Sequence, residues 1–262
     1  MKSIGIIGAG KIGGSLVARL SASESFDLMV SDVRPEPLER FAKGYSVKTT
    51  PSNRETAEAS NLIIVAVKPW DVMPVLEEIS PAIEGDEKAV VSVAAGVPIS
   101  AIAERLPEGA AVLRVMPNMC AAVSLGSAVV AANEPGDAYL PTVMEIFQHV
   151  GDVIELPERL FDAATALHGS GPAYVALFAD ALVQAGVREG IPREVARRLV
   201  NGTIAGTAVL LKEKTAHQIR DEVMTPGGTT AAAFAAMERA GFVAAVYDGV
   251  EAATEQARRL AT

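Results

Sequence analysis

The spacing of apolar and polar positions changes character near residue 157 of the chain. Before it, short apolar runs alternate with segments whose apolar residues return every three to four positions. SIGII (3–7), DLMVS (27–31), NLIIVAVKP (61–69), AVVSVAAG (89–96), AVLRVMPN (111–118), SAVVAA (127–132) and DVIELPE (152–158) read as strands. The short apolar run SIGII and the β-branched residues of NLIIVAVKP mark strands covered on both faces. GSLVARLSAS (14–23), PEPLERFAKG (35–44), VMPVLEEISPAI (72–83), ISAIAERLP (99–107) and YLPTVMEIFQHVG (139–151) carry the helical period. Strand and helix in alternation predict βαβ units and a doubly wound, Rossmann-type parallel sheet. After residue 157 no segment reads as a strand, and LFDAATALHG, GPAYVALFADALVQAGVREG, PREVARRLVNGTIAGTAVLLKEK, HQIRDEVM and TAAAFAAMERAG all read as helices. The expected organisation is an α/β domain over residues 1–157 followed by an all-α domain over residues 158–262.

Two of these helices, 172–190 and 192–212, are apolar nearly all round. A helix of that kind needs cover on every side, and a helical domain of about a hundred residues cannot surround two of them. A second copy of the chain is therefore expected to cover them, giving a homodimer at least, with a ring of dimers left open.

Composition narrows the chemistry. Half of the 262 residues are apolar, and the net charge of −9 has no basic stripe against it, so a nucleic-acid partner is not expected. The single cysteine, Cys120, and three scattered histidines argue against a disulfide framework and a metal site. No apolar run reaches the ~20 residues that a membrane span needs. The N-terminus leads directly into a strand, with no apolar leader and cleavage site, and predicts a cytoplasmic protein.

The first strand runs into Gly8-Ala9-Gly10-Lys11-Ile12-Gly13, which opens a helix. A lone G-x-G-x-x-G is weak, but strand before and helix after are its confirming context for a dinucleotide. Gly8 permits the turn, Gly10 lets a pyrophosphate approach the backbone, and Gly13 lets helix and strand pack closely. Asp32 ends the second strand, where an acidic group commonly takes ribose hydroxyls and favours NAD. Arg34, two residues on, favours a 2′-phosphate and NADP, so the two cues conflict. Lys68-Pro69, Ala94–Gly96 and Met116–Asn118 also fall at strand carboxyl ends, where such sheets bind ligands. Near the other terminus, Thr225-Pro226-Gly227-Gly228-Thr229-Thr230 precedes a helix. It reads either as a turn and N-cap or as a cradle for a small anion.

An all-α domain behind a dinucleotide domain also suits a β-hydroxyacid-type dehydrogenase, which needs a general base. No lysine accompanies the Gly-Gly-Thr-Thr stretch, where hydroxyls and amides suit an imine instead. A non-catalytic NAD(P) sensor is the reading from another class.

GIIGAGKIGGSL, SNRETAEASNLIIVAVKP, RVMPN, GSGPAYVALFADALVQAGVREGIPR and TPGGTTAAAFAAMERAGF together resemble the pyrroline-5-carboxylate reductase family over essentially the whole length. The resemblance implies reduction of Δ1-pyrroline-5-carboxylate to L-proline with NADPH, and possible use of NADH. It implies cofactor contacts by Gly8, Gly10, Lys11, Ile12, Gly13, Ser31, Asp32, Arg34, Asn53, Ala66, Val67, Lys68, Pro69, Met116 and Pro117. It places the small-molecule substrate against Asn118, Thr225, Gly227, Gly228 and Thr229, with Thr230 and Glu213 in catalysis, Glu213 coming from the neighbouring protomer. The chain departs from the family pattern at Cys120, where proline is usual, and at His168 and Thr225, where serine is usual. Arg34 also stands one position later than usual. These departures leave a related cyclic imine open as the substrate.

Overall fold

The computed structural model describes residues 2–83 and 87–260. The chain divides into two compact units, Met1–Ser170 with Ala253–Thr262, and Gly171–Ala252.

The first unit is built on eight strands: β1 (Lys2–Ile7), β2 (Phe26–Ser31), β3 (Lys48–Thr50), β4 (Leu62–Val65), β5 (Ala89–Ser92), β6 (Ala111–Pro117), β7 (Gly126–Ala132) and β8 (Gly151–Glu155). They form one sheet in the order β3-β2-β1-β4-β5-β6-β7-β8. Every pairing is parallel except β6 with β7, where the chain folds back directly. Strand order reverses between β1 and β4, which opens a crevice at the carboxyl ends of the two strands.

Helices cover both faces. They are α1 (Lys11–Leu20), α2 (Pro35–Gly44), α3 (Asn53–Glu58), α4 (Pro69–Ile79), α5 (Ile99–Ala103), α6 (Leu140–Gln148) and α7 (Phe161–Ala164). Side chains of a strand point to alternate faces. Ile4, Ile6, Leu62, Ile64, Leu113 and Val115 thus join one buried cluster with Leu16, Phe41 and Phe147. Ile7, Ile63, Val65, Val90 and Val112 join the other with Leu76, Ile79 and Phe161. The near-continuous apolar runs follow from this double coverage.

The second unit holds α8 (Gly171–Arg188), α9 (Arg193–Leu210), α10 (Ala216–Val223), α11 (Thr229–Arg239) and most of α12 (Phe242–Leu260). Only Val183 and Ala196 are buried among its residues. Large apolar side chains stand open in the single chain, among them Leu177 at 72% and Tyr247 at 70% exposure. An all-α unit of this size normally has a core of its own.

Three elements are not picked out in the sequence: the long helix α12, which lies within the expected all-α region, and the short β3 and α3. Three residues of strand and six of helix are too brief for a hydrophobic period. Ser52 nonetheless caps α3, its side chain accepting the Glu55 N–H at 3.1 Å, and Ser52-Asn53-Arg54-Glu55 carries the S-x-x-E start signal.

Candidate active site

The three glycines of the first turn are needed for three different reasons. Gly8 has φ +99°, and a Cβ there would lie 2.7 Å from the Ala66 carbonyl oxygen. A Cβ on Gly13 would sit 2.0 Å from the Gly8 carbonyl oxygen, so α1 packs directly on its own turn. Gly10 has an ordinary φ of −73° and open space where its Cβ would be. Lys11, Ile12 and Gly13, which follow it, carry the first helical amides of α1. Gly10 is also the N-cap and supplies no capping side chain. Helix-start amides with their positive partial charge, beside a position kept clear of any side chain, fit a pyrophosphate.

Asp32 and Arg34, the two conflicting cofactor cues, are bonded to each other. Its side chain is buried, and Oδ2 accepts the Ala9 N–H at 2.8 Å, which ties β2 to the glycine turn. Oδ1 accepts the Arg34 backbone N–H at 2.9 Å and Arg34 Nε at 3.0 Å, and Oδ2 accepts an Arg34 guanidinium N–H at 3.1 Å. Burial pushes the carboxyl's pKa up. The hydrogen bonds from Arg34 and from Ala9 outweigh it and hold the pKa below the usual carboxylate value. The carboxylate is fully engaged inside the protein, whereas the Arg34 side chain is 59% exposed. Arg34 lines a groove of about 720 Å³ with Gly10, Lys11, Ser15, Arg19 and Arg40. Arg19 and Arg40 were not among the sequence candidates, since each reads as an ordinary exposed helix position.

Ser31 is fully buried, and its hydroxyl donates to Asn53 Oδ1 at 2.9 Å. Asn53 Nδ2 donates to Glu78 at 2.8 Å. Both side chains thus hold β2, α3 and α4 together from inside. Ala66 and Val67 are half-buried after β4, and Lys68 is exposed as the N-cap of α4. Pro69 and Trp70 follow, exposed, in the first turn of α4.

At the end of β6, Met116 is half-buried while Pro117 and Asn118 are buried. Asn118 Oδ1 accepts the backbone N–H of Cys120 at 3.1 Å and of Ser127 at 3.3 Å. Asn118 Nδ2 donates to the His168 carbonyl oxygen at 3.1 Å. Both ring nitrogens of His168 face main-chain carbonyl oxygens, those of Ala164 and Met116.

In the second unit, the Gly228 N–H donates to the Thr225 carbonyl oxygen at 3.0 Å, closing a four-residue turn. Proline second and a left-handed Gly227 (φ +69°) third are the type II arrangement. A Cβ on Gly228 would fall on the Thr225 side chain. Gly228 caps α11 without a side-chain bond, so neither Thr229 nor Thr230 is the cap. Thr230 is half-buried in the first turn, Thr229 is exposed, and the first amides of α11 have no capping side chain. Glu213 is exposed in the turn between α9 and α10.

Among the described residues no group of His, Cys, Asp and Glu is arranged to hold a metal ion, and no helix is long and apolar enough to cross a membrane.

Known proteins bear on both units. A family model described as pyrroline-5-carboxylate reductase dimerisation matches residues 158–260. One described as NADP oxidoreductase, coenzyme F420-dependent, matches residues 3–96. The chain is 39% identical to a pyrroline-5-carboxylate reductase of Synechocystis, covering 98% of this chain and 97% of that one. It is 38% identical to one of Mycobacterium tuberculosis, covering 99% and 97%. The solved pyrroline-5-carboxylate reductase of Coxiella burnetii superposes with a TM-score of 0.93 at 31% identity over 99% of this chain and 98% of that one. The Plasmodium falciparum pyrroline carboxylate reductase with NADP bound gives 0.84 at 29% identity over 100% and 98%. With a nucleotide cradle on one unit, a glycine turn on the other and this likeness across the whole length, the chain belongs to the pyrroline-5-carboxylate reductase family.

Proposed function

We propose that the protein reduces Δ1-pyrroline-5-carboxylate to L-proline with NADPH as the preferred reductant and NADH as a second one. The observation that carries this reading is that one chain of this family holds both the Gly10 turn and, in its other unit, the Thr225–Thr230 turn. NADPH, held by the start of α1, would supply a hydride to the imine carbon, and the ring nitrogen would take up one proton.

The chain's own residues bind, orient and exclude water. The first-turn amides of α1 hold the pyrophosphate. Asp32 keeps Arg34 in place, and Arg34 reads the 2′-phosphate with Lys11 beside it. Ser31 and Asn53 shape the adenosine side from beneath, and Ala66–Pro69 run along the cofactor. Met116, Pro117 and Asn118 form the nicotinamide wall. Amides at Gly227 and Gly228 take the substrate carboxylate, with Thr225 and Thr229 at its edge. Thr230 donates a hydrogen bond near the imine nitrogen. Glu213 of a neighbouring copy reaches that nitrogen as the proton's route. Such a site needs no lysine base, because an imine gains its proton rather than losing one. The domain division follows residue 157, the assembly is a homodimer at least and extends to a ring of dimers, and the protein works in the cytoplasm.

A specificity panel tests the reading. Turnover with pyrroline-5-carboxylate should exceed that with the six-membered cyclic imine carboxylate at least tenfold. With 3-hydroxy acids and the oxidised cofactor it should be undetectable. A preference for the larger ring would make His168, Cys120 and Thr225 marks of a shifted substrate, and hydroxy-acid oxidation would favour the dehydrogenase reading.

A further inference from the structure

Both ends of Met116-Pro117-Asn118 are tied to one residue far along the chain. His168 Nε2 lies 2.8 Å from the Met116 carbonyl oxygen, across 52 positions of sequence. The His168 carbonyl oxygen accepts from Asn118 Nδ2 at 3.1 Å. Asn118 Oδ1 passes the hold on to the amides of Cys120 and Ser127. His168 itself sits in a π-turn, Thr165–Gly169, closed by the Ser170 N–H on the Thr165 carbonyl oxygen at 3.0 Å. Such turns are rare and concentrate at functional sites. The turn also lies against the Met116 side chain, since a Cβ on Gly169 would come within 3.5 Å of its Cε.

The other ring nitrogen, Nδ1, lies 2.5 Å from the Ala164 carbonyl oxygen, one turn back. A neutral imidazole carries one N–H, so the two carbonyls compete for it. Bonding to Ala164 braces only the local turn. Bonding to Met116 fixes the end of β6, where a dinucleotide lying across the strand ends presents its reactive half.

We propose that His168 is a positioning residue for hydride transfer: its ring reaches the Met116 carbonyl through Nε2 and sets the strand end against which the nicotinamide is held. This rests on the reductase reading above. The sequence drew attention to His168 as a departure near the pocket, and the geometry gives it work that a serine hydroxyl is too short to do across the same gap.

Two substitutions separate the contacts. The amide nitrogen of asparagine falls near the place of Nδ1, and that of glutamine near the place of Nε2. His168→Gln should keep the Met116 contact and hold kcat within about threefold of wild type. His168→Asn should keep only the Ala164 contact and lower kcat about tenfold or more, because small misplacements of reacting groups are costly in rate. NADPH affinity, read from quenching of Trp70, the only tryptophan, should change less than about twofold in either variant, since the pyrophosphate turn lies on β1. A second reading uses no cofactor or substrate. Hydrogen exchange at the Cys120 and Ser127 amides should stay as in wild type for His168→Gln and quicken about tenfold for His168→Asn, because protection follows local opening. The reverse ranking, or equal behaviour of the two variants in both readings, overturns the proposal. A wild-type enzyme that leaves pyrroline-5-carboxylate unreduced would sink the reductase reading instead, and the exchange contrast would still judge the Met116 contact.

Discussion

Arg34 closes two side-chain nitrogens on the carboxylate of Asp32, at 3.0 and 3.1 Å, and its backbone N–H joins them at 2.9 Å. In the reading proposed above, the acidic residue that ends a Rossmann-type second strand acts as a support for Arg34 rather than as a ribose ligand. An engaged carboxylate has no lone pair left for a hydroxyl. A guanidinium held at its base but 59% exposed presents its remaining donors to the groove. Arg34→Ala should therefore raise the Michaelis constant for NADPH about tenfold, in line with ~1.5–3 kcal/mol for a charge-assisted contact. The constant for NADH should move less than about twofold. Equal effects on both cofactors would show that Arg34 does not read the 2′-phosphate.

The same pair sets a pH dependence. Asp32 has a lowered pKa in the folded chain, so its ionised form binds the native state more tightly. Its contribution to stability is full above the unfolded carboxylate value, near pH 4, and fades as pH falls through the lower native value. Asp32→Asn should flatten this part of the acid limb in thermal melts below about pH 4. A variant whose acid limb matches that of wild type would place the pair outside the folding balance.

The glycine turn separates packing from binding. Gly13→Ala forces a Cβ onto the Gly8 carbonyl, at 2.0 Å, and should lower Tm markedly. Gly10→Ala meets nothing in the protein and has a compatible φ. It should leave Tm unchanged or slightly raised, by at most about 1 kcal/mol of added stability. It should nevertheless weaken NADPH binding about tenfold or more, as its methyl enters the space of the pyrophosphate. Unaltered NADPH binding in Gly10→Ala would move the phosphate away from this turn.

Thr230 can be tested against a structural role. Gly228 already caps α11, so Thr230→Ala should change Tm little. It should lower kcat/KM ten- to a hundredfold, the size of one polar contact of about 1.5–3 kcal/mol in a desolvated site. Thr230→Ser should keep most activity, and NADPH binding should be unaffected. A lower Tm with intact kcat/KM would assign the hydroxyl to the helix instead.

Much of this was legible in the residues. Ile4–Ile7 and Leu62–Val65 announce buried parallel strands because both faces of the sheet are covered. The Gly8–Gly13 spacing announces the cradle because each glycine answers a steric demand. What stayed hidden depends on contacts that no local pattern encodes. Asp32 and Arg34 looked like rivals until the Ala9 N–H and the guanidinium were found on one carboxylate. The bonds by which the Asn118 side chain staples β6 to β7 and to the π-turn could not be read from its place in the sequence. Thr229 and Thr230 looked like caps, but the left-handed Gly227 hands that task to Gly228. β7 was legible as a strand, but its antiparallel direction was not, because an apolar run carries no direction.

The open apolar surface of α8, α9 and α12 fits a chain that completes its helical unit with another copy, as the match to a dimerisation model over residues 158–260 also indicates. Sedimentation at micromolar concentration should give a mass of at least twice the chain's 27.2 kDa. An active species of one chain's mass would refute it.

The central claim is tested most directly by following the near-ultraviolet absorbance of NADPH with the purified protein and pyrroline-5-carboxylate, and by counting the product. The account predicts a decay that needs both protein and imine, with one L-proline formed for each NADPH oxidised. Absorbance that stays constant with imine present, or NADPH oxidation that yields no proline, would contradict it.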